Sequence, residues 1–149
     1  MRNRRSFIVA STAALAAAAA GTAQAQAAAR LNPNTATAQQ LAGVKGLTPA
    51  LSATILAKRP YKSMVAFDAV VRTALSAEQA QAVYVQLFVP INLNTATAED
   101  IALTPGMTRR MVREFLEYRP YSSMAQFDKE IGKYVDPTEL ARLRSYVTL

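Results

Sequence analysis

The chain has 149 residues, of which 51% are hydrophobic, and its 17 basic and 10 acidic residues give a formal net charge of +7. It contains no His and no Cys, so disulfides, a lipid-anchored cysteine, a thiolate nucleophile and the usual general base at neutral pH are excluded. We therefore predict a protein that is not an enzyme, with no catalytic residues and no metal site.

Residues 1–27 have the pattern of a cleavable signal peptide. Three arginines precede an Ala-rich apolar stretch, 7–20, which is too short for a permanent membrane anchor. Small-residue cleavage patterns follow at 23–27. The adjacent arginines at 4 and 5 fit a twin-arginine signal and fit a Sec signal equally, so the export route stays open. We predict a periplasmic or secreted protein whose mature chain has no stable membrane anchor.

The rest of the chain repeats itself at an offset of sixty residues. Between residues 31 and 68, 17 of 38 positions are identical to the residue sixty places later. We call residues 31–90 copy one and residues 91–149 copy two, and we predict one small helical unit in each. The two copies are expected to pack on each other through a short apolar joint at 88–90.

Removal of the predicted signal lowers the charge of the working protein. The remaining chain has fourteen basic and ten acidic residues, which gives a net charge of +4. Copy one has five basic and two acidic residues, whereas copy two has eight of each sign. This modest charge permits a nucleic-acid partner without identifying one.

Helix caps predict two short helices and a tight turn at the start of each copy. In copy one, a capping box of Thr37 and Gln40 begins the first helix. Gly46 then allows the turn, and Thr48 begins the second helix. The proline after Arg59 ends that helix, because a residue before proline is pushed out of the helical region. Copy two repeats these signals at Thr97, Asp100, Gly106, Thr108 and Arg119.

Two more helices are predicted in the second half of each copy. Ser63 and Ser123 are candidate caps for a third helix. Ser76 begins a fourth helix in copy one, and Asp136 begins its counterpart with Glu139 as the capping-box acid. Strand signals are absent, so the predicted fold class is all-α, with about four short helices in each copy.

A short helix, a glycine turn and a second helix make a helix-hairpin-helix motif. The opening 91–97, the turn 104–107, and the later Tyr118-Arg119 and Phe127-Asp128 pairs resemble the ComEA-like family of exported helix-hairpin-helix proteins. The resemblance covers nearly all of copies one and two. It implies two tandem helix-hairpin-helix units and sequence-independent binding of double-stranded DNA, in DNA uptake or scavenging.

The resemblance implies that backbone N–H groups of the hairpin turn, and of the first residues of the helix after it, point to a DNA phosphate. Arg or Lys beside the turn adds charge, and such contacts recognise the backbone, not the bases. A monovalent cation held by hairpin carbonyls would be structural, and no other cofactor is predicted. The candidate phosphate-binding residues are Gly106, Met107, Thr108, Arg109, Arg110 and Arg113 in copy two, and Lys45, Gly46 and Thr48 in copy one.

The sequence departs from the family pattern at two places. The second glycine of the family's turn is replaced by Thr48 and Thr108, and neither copy has a second glycine hairpin at 73–76 or 133–136. These departures also make the chain similar to PsbU, an extrinsic photosystem subunit of related fold that binds protein. The alternative prediction is therefore a periplasmic protein-interaction or assembly module that does not bind DNA.

Several candidate residues have a purely structural interpretation. Arg110 and Arg113 each have a glutamate four residues later, so ion pairs on a solvated helix face compete with phosphate binding. Thr48 and its counterpart in copy two are predicted to be helix caps first. Tyr61 and Tyr121 are predicted to be packing residues.

Overall fold

A computed structural model describes residues 30–149, and the predicted signal peptide at 1–27 lies outside them. The described part is all-α, with eight helices and two strands of two residues each. No helix in it is long and apolar enough to cross a membrane. The elements are α1 Ala38–Ala42, α2 Pro49–Ala57, α3 Met64–Val71, α4 Ala77–Tyr84, β1 Ile91–Asn92, α5 Ala98–Ala102, α6 Arg109–Glu117, α7 Met124–Ile131, α8 Pro137–Arg144 and β2 Val147–Thr148.

The helices begin at the predicted caps. Thr37 and Thr97 each form a capping box with the side chain three residues later. In α2, α3, α6 and α7 the cap side chain accepts a hydrogen bond from the amide three residues on. The two turn glycines have positive φ, +94° at Gly46 and +74° at Gly106, as the tight turn requires. Helices α1–α4 therefore share their local signals with α5–α8.

The cap of α8 differs from its prediction in one respect. Asp136 accepts a hydrogen bond from the Glu139 N–H at 2.8 Å, and Pro137 is the first helical residue, as predicted. The Glu139 carboxylate, however, does not complete a capping box and instead accepts two hydrogen bonds from the Arg142 guanidinium. Two charge-assisted hydrogen bonds to a guanidinium outweigh one to a backbone amide.

The predicted all-α class is confirmed, and the described residues add two short strands for which the sequence holds no signal. Strand β1 pairs in parallel with β2, with Ile91 opposite Val147. Copy one has an isolated parallel bridge at the corresponding place, between Leu31 and Leu87. One or two paired residues are too few to show the alternation by which a strand is recognised in a sequence.

Two of the three residues of the predicted joint at 88–90 are buried, and Pro90 is exposed. Phe88 and Val89 lie in the core, and the Phe88 ring packs edge-on against Tyr146 with 4.8 Å between centroids. The Arg30 guanidinium lies over the Tyr146 ring, with its carbon 3.3 Å from the ring centroid, and Arg30 donates to the Val85 carbonyl at 2.9 Å. Buried residues of both copies therefore form one hydrophobic core.

A buried carboxylate also joins the two copies. Asp100 is only 4% exposed. One of its oxygens accepts the Val65 N–H at 2.8 Å, in the first turn of α3, and the other accepts the Thr97 N–H at 3.1 Å. The carboxylate thus lies at the positive ends of α3 and α5, which stabilises its charge. Its counterpart in copy one, Gln40, is exposed.

The tyrosines after the Arg-Pro pairs are packing residues, as predicted. Tyr61 is buried, and its hydroxyl donates to the Ile55 carbonyl at 2.9 Å. Tyr121 is also buried, and burial raises its pKa to about 12. Neither ring is available to stack on a base.

Candidate nucleic-acid interface

The turn between α5 and α6 contains the candidate residues of copy two. The Met107 N–H donates to the Thr104 carbonyl at 3.0 Å, and the Met107 side chain packs against the core. The N–H groups of Gly106 and Thr108 have no acceptor among residues 30–149. The Thr108 hydroxyl oxygen caps α6 by accepting the Met111 N–H at 3.2 Å, which confirms its predicted structural role.

The start of α6 adds two more backbone donors. Arg109 and Arg110 are its first two residues, and their N–H groups likewise find no acceptor in the described part of the chain. Free amides at this end of a nine-residue helix coincide with the positive end of its dipole. With Gly106 and Thr108, four N–H groups lie within five residues of chain, which suits an anion.

The arginine side chains of α6 differ in how they are held. Arg109 and Arg113 are exposed and have no carboxylate within ion-pair distance among residues 30–149. Arg110 has its Nε 3.8 Å from a carboxylate oxygen of Glu114, although 67% of its side chain remains exposed. The expected ion pair is therefore present for Arg110, whereas the described residues show no pair between Arg113 and Glu117. The Glu114 side chain of this pair is only 11% exposed, so separating it from Arg110 costs more than breaking a fully exposed pair.

Two tyrosines lie beside Arg110. The hydroxyls of Tyr118 and Tyr134 are 2.8 Å apart, and this bond together with burial raises the pKa of Tyr134 above its ordinary value. The Arg110 guanidinium carbon is 5.3 Å from the Tyr134 ring centroid, a favourable cation–π distance. Lys133 pairs with Glu130 on the same side. Arg109 and Arg113 are consequently the less restrained cations of α6.

Two further arginines of copy two are engaged in contacts of their own. Arg119 points inward and donates to the carbonyls of Leu93 and Ala96, the latter at 2.7 Å. Arg144 forms an ion pair with Asp128. Copy two is neutral overall, and among residues 30–149 its cations without an ion pair or side-chain hydrogen bond are Arg109 and Arg113 on α6 and Lys129 on α7.

The turn of copy two is supported from behind by α8. Arg142 donates from Nη1 to the Pro105 carbonyl at 2.6 Å, and from Nε and Nη2 to Glu139 at 2.7 and 2.6 Å. This ion pair raises the pKa of Arg142 and lowers that of Glu139. A Cβ placed on Gly106 would lie 3.1 Å from Arg142 Nη2, so glycine permits the close approach.

The corresponding turn of copy one is held by a neutral side chain. The Gln86 amide accepts the Lys45 N–H and donates to the Lys45 carbonyl, both at 3.1 Å. Lys45 and Gly46, in this turn, are both exposed. Thr48 caps α2 through its hydroxyl oxygen, and α2 then begins with Pro49 and Ala50, which carry no charge. Within residues 30–149, Lys45 is the one cation at this turn.

The surface between the first two helices also differs between the copies. In copy one, α1 and α2 enclose an apolar groove, whereas the equivalent depression in copy two contains a carboxylate and a guanidinium. The copy-one groove is lined by Ala38, Ala42, Leu47, Pro49, Ser52, Ala53 and Leu56. The copy-two depression is lined by Ala98, Glu99, Ala102, Arg109 and Val112.

The side chains that hold the two turns were not predicted. Arg142 lies on the last helix of copy two, and Gln86 lies just after the last helix of copy one. They are not equivalent in the repeat, because position 142 aligns with Ala82 and position 86 aligns with Tyr146. Comparing the copies therefore gives no signal for them. The three-residue spacing of Glu139 and Arg142 was the available hint of an ion pair.

The described residues contain no group of three or more acidic side chains that could hold a metal ion. A monovalent cation held by hairpin carbonyls stays a prediction, and in copy two the Pro105 carbonyl already accepts from a cationic guanidinium.

Comparison with known proteins gave no relatives. No protein-family model matches the chain, and no similar curated protein or solved structure was found.

Proposed function

We propose that this protein is an exported, tandem helix-hairpin-helix protein, similar to the ComEA-like family, that binds double-stranded DNA without sequence preference. Copy two supplies most of the phosphate contacts, and copy one serves mainly as a scaffold or as a partner-binding face. The observation that carries the proposal is the group of unpaired amides at Gly106, Thr108, Arg109 and Arg110 beside exposed arginine side chains.

The chemistry of this group suits a phosphate. Backbone N–H groups at a helix start donate to anionic oxygens, and the helix dipole favours negative charge there. Arg109 and Arg113 are one turn apart on α6 and add mobile positive charge. Contacts to phosphate oxygens carry no sequence information, so binding is expected to be independent of base sequence.

The location of the activity follows from the predicted signal peptide. Residues 1–27 carry the basic start, apolar stretch and small-residue cleavage patterns of an exported protein. The DNA would therefore be met outside the cytoplasm, which is consistent with uptake or scavenging of DNA.

The test is binding of the purified protein to a short duplex of arbitrary sequence, measured by fluorescence anisotropy over a salt series. We expect micromolar or tighter binding at low salt, with the logarithm of the association constant falling linearly with the logarithm of salt concentration. Several phosphate contacts predict a loss of several-fold for each doubling of salt. Absence of binding at low salt would overturn the proposal.

The placement on copy two is tested by reversing charge at one place at a time. Changing Arg109 and Arg110 together to Glu is expected to abolish binding while the helical circular-dichroism spectrum stays unchanged. The matched control is Lys58→Glu with Lys62→Glu, which makes the same charge change on exposed residues of copy one. Equal loss of affinity in both variants would contradict the placement.

The apolar groove between α1 and α2 favours a second candidate function. A surface of this composition suits docking on a larger assembly, as in the PsbU-like alternative, without DNA binding. Binding of a periplasmic protein partner would then change little with salt and would be blocked by Ala53→Asp, a change at an exposed position of the groove. Loss of DNA binding in the same variant would argue against separate roles for the copies.

A further inference from the structure

The orientation of the peptide group between residues 105 and 106 sets the direction of the Gly106 N–H, one of the proposed phosphate donors. It is trans, since the cis peptide bonds of the described chain are those before Pro60 and Pro120. In a trans peptide the C=O and the N–H point in opposite directions. A hydrogen bond that holds the Pro105 carbonyl therefore also fixes the direction of the Gly106 N–H.

In copy two that carbonyl is held by a charged donor. Arg142 Nη1 lies 2.6 Å from the Pro105 oxygen, on the side of the turn that faces α8. The Gly106 N–H consequently points away from α8. Glu139 keeps the guanidinium in place through two hydrogen bonds of its own.

In copy one the equivalent peptide group, between residues 45 and 46, is held by a neutral donor. The Gln86 side-chain amide donates to the Lys45 carbonyl at 3.1 Å, which orients the Gly46 N–H in the same way. This contact is longer and has no formal charge. A charge-assisted hydrogen bond is shorter and roughly twice as strong as a neutral one.

We propose that Arg142 is a positioning residue for the phosphate contact of copy two, which orients and polarises the Gly106 N–H by holding the Pro105 carbonyl. This inference rests on the proposed DNA binding. A hydrogen bond accepted by the carbonyl of a peptide strengthens the N–H of the same peptide as a donor. Three of the five N–H donors of Arg142 are used by Glu139 and Pro105 on the α8 side, so the role proposed for Arg142 is to hold the turn and not to bind the phosphate itself.

Two substitutions of Arg142 separate its hydrogen bond from its charge. Arg142→Met removes both, whereas Arg142→Gln removes the charge and keeps a donor of the kind found in copy one. The control is Arg144→Gln, which removes one positive charge from the same helix without touching the turn. We expect about a ten-fold loss of duplex affinity for Arg142→Met, and about two- to three-fold for Arg142→Gln. We expect no more than about two-fold for Arg144→Gln.

The salt dependence distinguishes positioning from direct contact. Arg142→Met is expected to lower affinity at every salt concentration without changing the slope of affinity against salt. Arg109→Gln, which removes a proposed direct contact, should reduce that slope by about one phosphate. In the amide NMR spectrum, addition of the duplex should shift the Gly106 signal of the wild type, and this shift should be much smaller in Arg142→Met.

The outcomes separate this inference from the proposed function. If the wild type does not bind the duplex, both fail together. If the wild type binds and Arg142→Met loses no more affinity than Arg144→Gln, the positioning role alone is wrong. A reduced salt slope for Arg142→Met would make Arg142 a direct contact and overturn the inference as well. If Arg142→Met unfolds, Arg142→Gln decides, and it must then lose more affinity than Arg144→Gln.

Discussion

The turn between α1 and α2 and the turn between α5 and α6 have the same backbone course and different surroundings. Both have a glycine at positive φ, two residues before a threonine cap. The first is followed by Pro49 and Ala50 and is held by Gln86, whereas the second is followed by two arginines and is held by Arg142. The two turns thus share their backbone course and differ in the side chains around them.

This contrast shows that the repeated residues and the differing residues have separate roles. The identical positions include helix caps such as Thr37, the turn glycine and core residues such as Phe67, which build the helices and the turn. The residues that give a turn its charge come from non-identical positions, including a different place on the last helix. Identical residues in the two copies therefore predict the structure that they share. The different functions proposed for the two copies rest on the residues that differ between them.

The largest expected effect is on stability, and it concerns the buried carboxylate at the boundary between the copies. This carboxylate belongs to copy two and has no carboxylate counterpart in copy one. Asp100→Ala leaves the Val65 N–H in the first turn of α3 without its partner and removes the capping box of α5. We expect the free energy of unfolding to fall by about 3 kcal/mol. Urea unfolding followed by circular dichroism measures it.

The matched control for that variant is Gln40→Ala, which removes the exposed capping-box partner of copy one. It is expected to cost about 1 kcal/mol or less, because no second helix depends on it. Equal destabilisation by the two variants would mean that the link between the copies contributes nothing measurable.

Alanine at the two turn glycines is expected to separate stability from binding. Gly46→Ala and Gly106→Ala each place a side chain at positive φ and should each lower stability by about 1–2 kcal/mol. Only Gly106→Ala also crowds Arg142, at 3.1 Å, and should weaken duplex binding. Unfolding curves and anisotropy on the same samples test both parts, and loss of binding only in Gly46→Ala would reverse the assignment of the copies.

Adding arginines to copy one should reduce the difference between the copies. Pro49→Arg with Ala50→Arg recreates the start of α6 on α2 at exposed positions. We expect duplex affinity to rise about three-fold, with a steeper salt dependence, because new phosphate contacts release more counterions. Unchanged affinity and slope would show that charge at a helix start is insufficient without the rest of the copy-two turn.

The smallest expected effect is a pH dependence of the Glu139–Arg142 pair. The hydrogen-bonded guanidinium lowers the pKa of Glu139 below its ordinary value of 4.5, so the pair stabilises the fold above that pH. The stabilisation is lost as pH falls through the lower pKa of the folded state. Because the pair is partly exposed, we expect less than about 1 kcal/mol.

Thermal unfolding at neutral pH and at about pH 3 checks this dependence. The loss of stability on acidification should be smaller in Glu139→Gln than in the wild type, since the variant has no carboxylate to protonate at that position. An identical loss in both proteins would contradict the role given to the pair.

Much of the fold was predictable because its signals are local. Helix caps such as Thr37 and Ser63 act within four residues of chain, and a glycine such as Gly46 marks its own turn. The two-residue strands escaped prediction because their pairing joins residues far apart in sequence, Ile91 with Val147.

The candidate site was predictable only in part, for the same reason. The arginines of α6 and the turn glycine are visible in one stretch of sequence. The contact of Arg142 with Pro105 spans 37 residues. Likewise, Glu139 was assigned to a local capping box, and its preference for Arg142 depends on the stronger charge-assisted pair. Long-range side-chain partners of this kind become visible only once the helices are packed.

The central claim is that DNA phosphates bind at the turn and helix start of copy two. The most direct measurement is an amide NMR titration of the protein with a short duplex of arbitrary sequence. We expect the signals of Gly106, Thr108 and Arg109 to shift first and most. Shifts confined to Gly46 and Thr48 in copy one, or no shift at either turn at low salt, would contradict the claim.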